Sequence, residues 1–136
     1  MRWFVLTATA LVALAGAAYA FAGASGSPGT AAYALVVGTS GTPQLIQSHT
    51  NGFVSVNLGL AGQGDYCLTP APGVDVVHTA AVASEEAFYS NALGEPLVRY
   101  PNSSASASCD ANQLEVKTFD ESVALSNQIA FTVNVP

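Results

Sequence analysis

Three runs of this chain alternate apolar and polar residues with a period of two. In FVSVNL, Val54, Val56 and Leu58 fall on one face, and Ser55 and Asn57 on the other. In QLEVKTF, Leu114 and Val116 oppose Glu115 and Lys117. In QIAFTVNV, Ile129, Phe131, Val133 and Val135 oppose Ala130, Thr132 and Asn134. Each pattern predicts an antiparallel strand, buried on one side and wet on the other. Further short runs at YALVV (33–37), PQLIQS (43–48), DYCLT (65–69), VVHTAAVA (76–83) and PLVRY (96–100) bring the expectation to about eight strands. No long apolar period of 3.6 runs through the mature chain, and Ser84 to Phe88 has room for a single helical turn.

Turn chemistry separates these runs: GTSGTP (38–43), TNG (50–52), GLAGQGD (59–65), PAPG (70–73), LGEP (93–96) and YPNSSASAS (100–108). Short strands between short turns predict an all-β fold, an antiparallel two-sheet β-sandwich of jelly-roll-like form with one disulfide. The last run ends at Pro136, which cannot donate to a ladder, and the segment before it is expected to be central to the core.

The first residues change the picture of where the domain begins. Arg2 precedes an apolar stretch from Trp3 to Ala18, and Ala18-Tyr19-Ala20 and Ala22-Gly23-Ala24 offer small-residue cleavage sites. This is the layout of a secretory signal peptide over residues 1–24, removed on export. An uncleaved membrane anchor is the alternative, since the uncharged stretch is about long enough to span a bilayer. Residues 25–30, SGSPGT, read as a flexible linker, and 31–136 as one sandwich domain. The expected location is secreted or extracellular.

Beyond the signal the chain holds Arg99 and Lys117 against nine carboxylates, a formal charge of −7. Two isolated cations cannot displace the counterions of a phosphate backbone, so nucleic acid and anionic lipid are not expected partners. Exactly two cysteines in an exported chain leave one intramolecular pairing, Cys67 with Cys109. Closing so long a loop stabilises by about 4 kcal/mol on chain entropy.

Other chemistry-bearing residues form no recognisable motif. GTSGT at 38–42 misses the nucleophile elbow at Thr42, and a triad would need Ser40, His49 or His78 and an aspartate. Glu85 and Glu86 are adjacent and diverge on a strand, which does not suit a glycosidase pair. Asp110, Asp120 and Glu121 lack the dense spacing of a calcium loop, and two cysteines with two histidines lack zinc spacing. No catalytic residue, metal or cofactor is therefore expected. Tyr66, Phe88, Tyr89 and Tyr100 are aromatics of the kind that stack on sugar rings when exposed, with Tyr89 and Tyr100 the leading candidates for ligand binding. Asn102-Ser103-Ser104 is a glycosylation sequon.

GDYCLTPAPGVD, AAVASEEAF, CDANQLEVKTFD and NQIAFTVNVP together resemble a module of secreted proteins from Gram-positive actinobacteria. Its pattern is G-x-Y-C-[IL]-T-P, then C-x-x-x-x-[FL]-E-V-x-T, then A-F-x-[VIL]-x-[VI]-P. Gly64, Tyr66, Cys67, Cys109, Glu115, Val116, Thr118, Ala130, Phe131 and Pro136 match it, over a span of residues 31–136. The resemblance implies fold-bearing positions and no catalytic ones. The resemblance implies that some members carry the module after collagen-like repeats, in the arrangement of C1q-type trimeric heads, whereas this chain carries no such repeat. The expected function is a non-enzymatic extracellular or cell-surface module with a structural or binding role. The alternative is a carbohydrate-binding domain, and a small secreted hydrolase stands third. The expected partner is an extracellular polysaccharide or protein, or further copies of the chain.

Overall fold

A computed structural model describes residues 32–99 and 108–136. The signal segment, the linker, Tyr100 and the sequon at Asn102 lie outside the described residues. Eight strands form in chain order: β1 Ala32–Val37, β2 Gln44–Leu45, β3 Phe53–Leu58, β4 Asp65–Pro70, β5 Val82–Glu85, β6 Gly94–Arg99, β7 Leu114–Asp120 and β8 Phe131–Val135. They make two antiparallel four-stranded sheets, ordered β2-β1-β8-β5 and β3-β4-β7-β6. The expected two-sheet sandwich is thus what forms. Counted from β3, with β1 placed last, this is the strand order A-B-E-D facing C-F-G of an immunoglobulin constant-type sandwich, with β2 added outside β1.

The core lies between the sheets. Ala32, Ala34 and Val36 of β1 and Phe131, Val133 and Val135 of β8 face Tyr66 and Leu68 of β4 and Leu114 and Val116 of β7. Small residues on β1 leave room for Tyr66, whose ring lies 5.2 Å from that of Phe131 at a tilt of 58°. Its hydroxyl reaches Gly38, where any Cβ would fall 2.2 Å from the oxygen, so this position accepts only glycine. Burial pushes the Tyr66 phenol pKa up, against a smaller downward pull from the Thr118 hydroxyl. The Cys67–Cys109 disulfide is formed, with the Cα atoms 5.4 Å apart. It holds the approach to β7 against the outer face of the second sheet, where Leu60 N donates to Ser108 O at 3.3 Å and Gln113 Nε2 to Thr69 Oγ1 at 3.0 Å.

Five expectations are corrected. A bulge in β3 between Phe53 and Ser55 reverses the parity of its start, so Phe53 is buried and Val54 points to solvent. Leu58, expected on the inner face, is exposed. The run 76–83 pairs only from Val82 onward. Its first part is held in a turn, because Asp75 Oδ1 accepts from the amides of Val77 at 2.9 Å and His78 at 3.0 Å. The run 43–48 pairs only at Gln44 and Leu45 before the 3-10 turn Gln47–His49. The outer face of β7 is not wet. Glu115 is buried there, with Lys117 Nζ at 3.3 Å and Arg99 Nη1 at 3.8 Å from its Oε1.

β8 lies between β1 and β5 in its sheet, and its inward side chains are fully buried. Phe131→Ala is expected to cost about 3–5 kcal/mol in denaturant titration, from lost transfer energy and the cavity left. A chain ending at Asn127 is expected to be unfolded by circular dichroism. A soluble, protease-resistant product of that truncation would show that β8 is dispensable.

Candidate functional site

The antiparallel order sends four connections to one end of the sandwich: β1–β2 (38–43), β3–β4 (59–64), β5–β6 (86–93) and β7–β8 (121–130). β1 begins and β8 ends at the opposite end, where Ala32 pairs with Val135. Three of the four loops are locked together by hydrogen bonds. The central one is β7–β8. On one side Thr118 N donates to Gly64 O at 2.8 Å, Ser126 N to Thr118 O at 3.0 Å, and Gln63 Nε2 to Asn127 Oδ1 at 2.9 Å. On the other side Asn91 N donates to Gln128 O at 2.8 Å, Glu86 N to Ala130 O at 2.9 Å, and Ala130 N to Ser90 Oγ at 2.9 Å. Ile129 and Ala130 beneath are fully buried, so these loops form a fixed crown.

The crown carries the most exposed large apolar side chains among the described residues: Leu60 at 87%, Phe88 at 85%, Val123 at 79% and Leu93 at 64%. They come from three different loops. Tyr89 joins them, half exposed, its ring edge-on to Phe88 with centroids 5.0 Å apart. A single helical turn presents this pair. Ser90 N donates to Glu86 O at 3.2 Å and Tyr89 N to Glu86 Oε2 at 2.9 Å, so the turn spans 86–90 rather than the expected 84–88. Shallow clefts flank Leu93, one toward Glu85, Ala87 and Ser90, the other toward Asp120, Glu121 and Ser122.

Val123 has a backbone that β-branched residues rarely adopt, φ +63. The cause is the hairpin turn after β7. Val123 N donates to Asp120 O at 2.9 Å, and Asp120 N to Ala124 O at 3.0 Å. Asp120 Oδ1 collects Ser122 N at 2.9 Å, Ser122 Oγ at 2.6 Å and Ala124 N at 3.1 Å. A three-residue hairpin loop of this kind places its third residue in the left-handed region, where glycine ordinarily sits. Those bonds favour the ionised carboxylate and hold the Asp120 pKa below its usual value, with the Ser122 side chain the largest contributor.

The cations are kept away from this end. None of the four loops contains a lysine, arginine or histidine. Glu85, Glu86, Glu95, Asp120 and Glu121 lie in or beside them. Both cations of the domain converge instead on Glu115 in the second sheet.

The remaining sequence candidates do not gather into one site. Ser40 lies in the β1–β2 turn at the crown end, its hydroxyl toward Thr42 O at 3.4 Å. His78 lies in the β4–β5 loop at the other end, with Nδ1 2.9 Å from Asp75 Oδ2, and His49 lies in the 3-10 turn beyond β2, within 2.9 Å of Ser48 Oγ. Asp75 is held below its usual pKa chiefly by the His78 amide and ring. Asp110 stands before β7 and Asp120 at its end, so they do not share a cation site. Among the described residues no three His, Cys, Asp or Glu side chains are placed to hold a metal ion. Tyr66 is core, and of the two proposed ligand-binding tyrosines Tyr89 alone falls within the described residues. Sequence reasoning missed Leu60, Leu93 and Val123. No family model matches the chain, and neither a curated protein nor a solved structure does.

Two outcomes follow from the tight turn after β7, which the Phe119–Leu125 bridge closes. Val123→Asn, which suits the left-handed region, is expected to raise stability by about 1 kcal/mol in denaturant titration; a loss of stability would refute the strain. For Asp120 the folded pKa is depressed, so its turn is fully held above the unfolded value and loosens as pH falls through the lower folded one. The amide resonances of Ser122 and Ala124 are expected to titrate with a midpoint below 3.8. A midpoint at or above that value would show that the bonds do not form.

Proposed function

We propose that this chain is a secreted, non-enzymatic module that binds at an extracellular or cell surface, with the loop crown as its contact surface. The observation that carries the reading is the placement of Leu60, Phe88, Leu93 and Val123 together at one end, on loops cross-linked by backbone hydrogen bonds. Side chains that project from fixed loops lose little freedom on binding, which favours recognition. Scattered exposed apolar residues need no explanation, but a cluster at one pole marks a contact site. Export fits the disulfide, which persists in oxidising compartments. Among the described residues no helix is long and apolar enough to cross a membrane.

Carbohydrate is the second reading, and the exposed Phe88–Tyr89 pair supports it, since one ring face is free to lie against a sugar. Retention of the oxidised protein on insoluble polysaccharides and on washed cell-wall material tests the crown. Phe88→Ala and Tyr89→Ala are expected to reduce retention about tenfold each, as loss of central aromatic contacts does. Val54→Ser, at an exposed apolar position on the opposite end, is expected to leave it unchanged. Equal retention of all three variants would remove the crown from the function.

A further inference from the structure

We infer that the partner of the crown is a cationic protein segment with an apolar face, an inference that rests on the crown being the binding surface. The apolar tips and the carboxylates are interleaved. Asp120, Glu121 and Ser122 form the far wall of the cleft beside Leu93, and Glu85 forms part of the near one. Phe88 and Tyr89 lie two and three residues after Glu86 in the same turn. No partner can cover the tips without also drawing water from these acids.

Charge then decides between occupants. A neutral glycan or a zwitterionic lipid brings no net counter-charge, so its hydroxyls or headgroup offset the desolvation of these carboxylates less than a lysine or arginine does. An anionic surface would be repelled. A second copy meeting crown to crown would set two cation-free acidic ends against each other, and like charges in juxtaposition oppose association. The domain's own cations cannot serve in a head-to-tail contact without leaving the buried Glu115 uncompensated. A lysine- or arginine-bearing segment with Leu- or Phe-type side chains matches both features at once.

The strain at Val123 is an independent sign. A glycine or asparagine would close the same hairpin at lower cost, and the valine contacts solvent rather than core. Backbone strain kept at an exposed apolar residue does nothing for folding and points outward, to a contact.

The test uses fluorescent probes titrated with the oxidised protein: a synthetic Lys/Leu amphipathic peptide, polylysine, a soluble neutral β-glucan and phosphatidylcholine vesicles. The Lys/Leu peptide is expected to bind more tightly than polylysine, and more weakly as salt rises. Phe88→Ser and Leu93→Ser are each expected to weaken it about tenfold. Val123→Asn is expected to weaken it while stabilising the fold, an outcome that general damage to the protein would not produce. Glu121→Gln with Glu95→Gln is expected to flatten the salt dependence. Peptide binding that is absent, or unchanged in the Phe88 and Leu93 variants, overturns the inference. If the glucan or the vesicles bind in a crown-dependent way instead, the cationic partner is wrong and the binding module stands. If no probe responds to the crown variants, both are wrong.

Discussion

The backbone of residues 126–130 is the constraint on which the loop crown depends. It is not a strand, yet its polar groups are taken by Thr118 on one side and by Glu86, Ser90 and Asn91 on the other. Buried backbone groups must find partners, and here they find them in strand β7 and in the β5–β6 loop. Ile129 fixes the segment from below and comes close to Gly94, where a Cβ would meet the Phe119 carbonyl at 2.2 Å. Gly64, at φ +77, lets the β3–β4 loop approach just as closely, since a Cβ there would lie 2.4 Å from Ser126 N. Loops that would each be mobile alone become one surface. The apolar tips are therefore held at fixed separations without any helix or further layer of structure.

The strands were legible wherever one side chain in two had to enter the core. β8 carries that alternation cleanly and β7 carries it in sequence, and the inward residues of both are fully buried. The disulfide followed from counting, because two cysteines allow one pair. The failures have local causes. A bulge shifts the pattern by one residue without changing composition, so Val54 and Phe53 exchanged faces. Asp75 offers hydrogen bonds that compete with a ladder, and an apolar run after it coils instead of pairing. Glu115 reads as a solvent residue because its polarity is plain in the sequence and its burial is not. Its Cα partner across the ladder is Cys67, and the disulfide brings Cys109 over the same face.

The crown was not legible because its members are neighbours only after folding. Leu60, Phe88, Leu93 and Val123 lie in three separate connections, and each, taken singly, is indistinguishable from a core residue at a strand end. Tyr89 was visible as an aromatic, but its position beside Phe88 depends on the one turn of helix set by Glu86. What local sequence did show was the absence of cations from these four loops, a fact that gains meaning only once they are known to meet. Topology converts it from composition into an electrostatic surface. The same topology places the start of β1 and the end of β8 at the other pole.

The two cations explain why the acidity is one-sided rather than merely high. A buried carboxylate without compensation would be costly, and Glu115 draws both Arg99 and Lys117 to the outer face of the second sheet. With those two committed, the crown acids rely on solvent or on local donors, as Asp120 does with Ser122 and Ala124, while Glu85 Oε1 is buried without a hydrogen-bond partner. A protein of this composition could have used a lysine to soften its apolar pole, as edge strands and loop tips commonly do. It places valine in a strained turn and phenylalanine on an exposed one instead, beside unpaired acids. Stability and solubility would both favour the opposite choices, and that is the physical ground on which the crown is proposed as a contact surface.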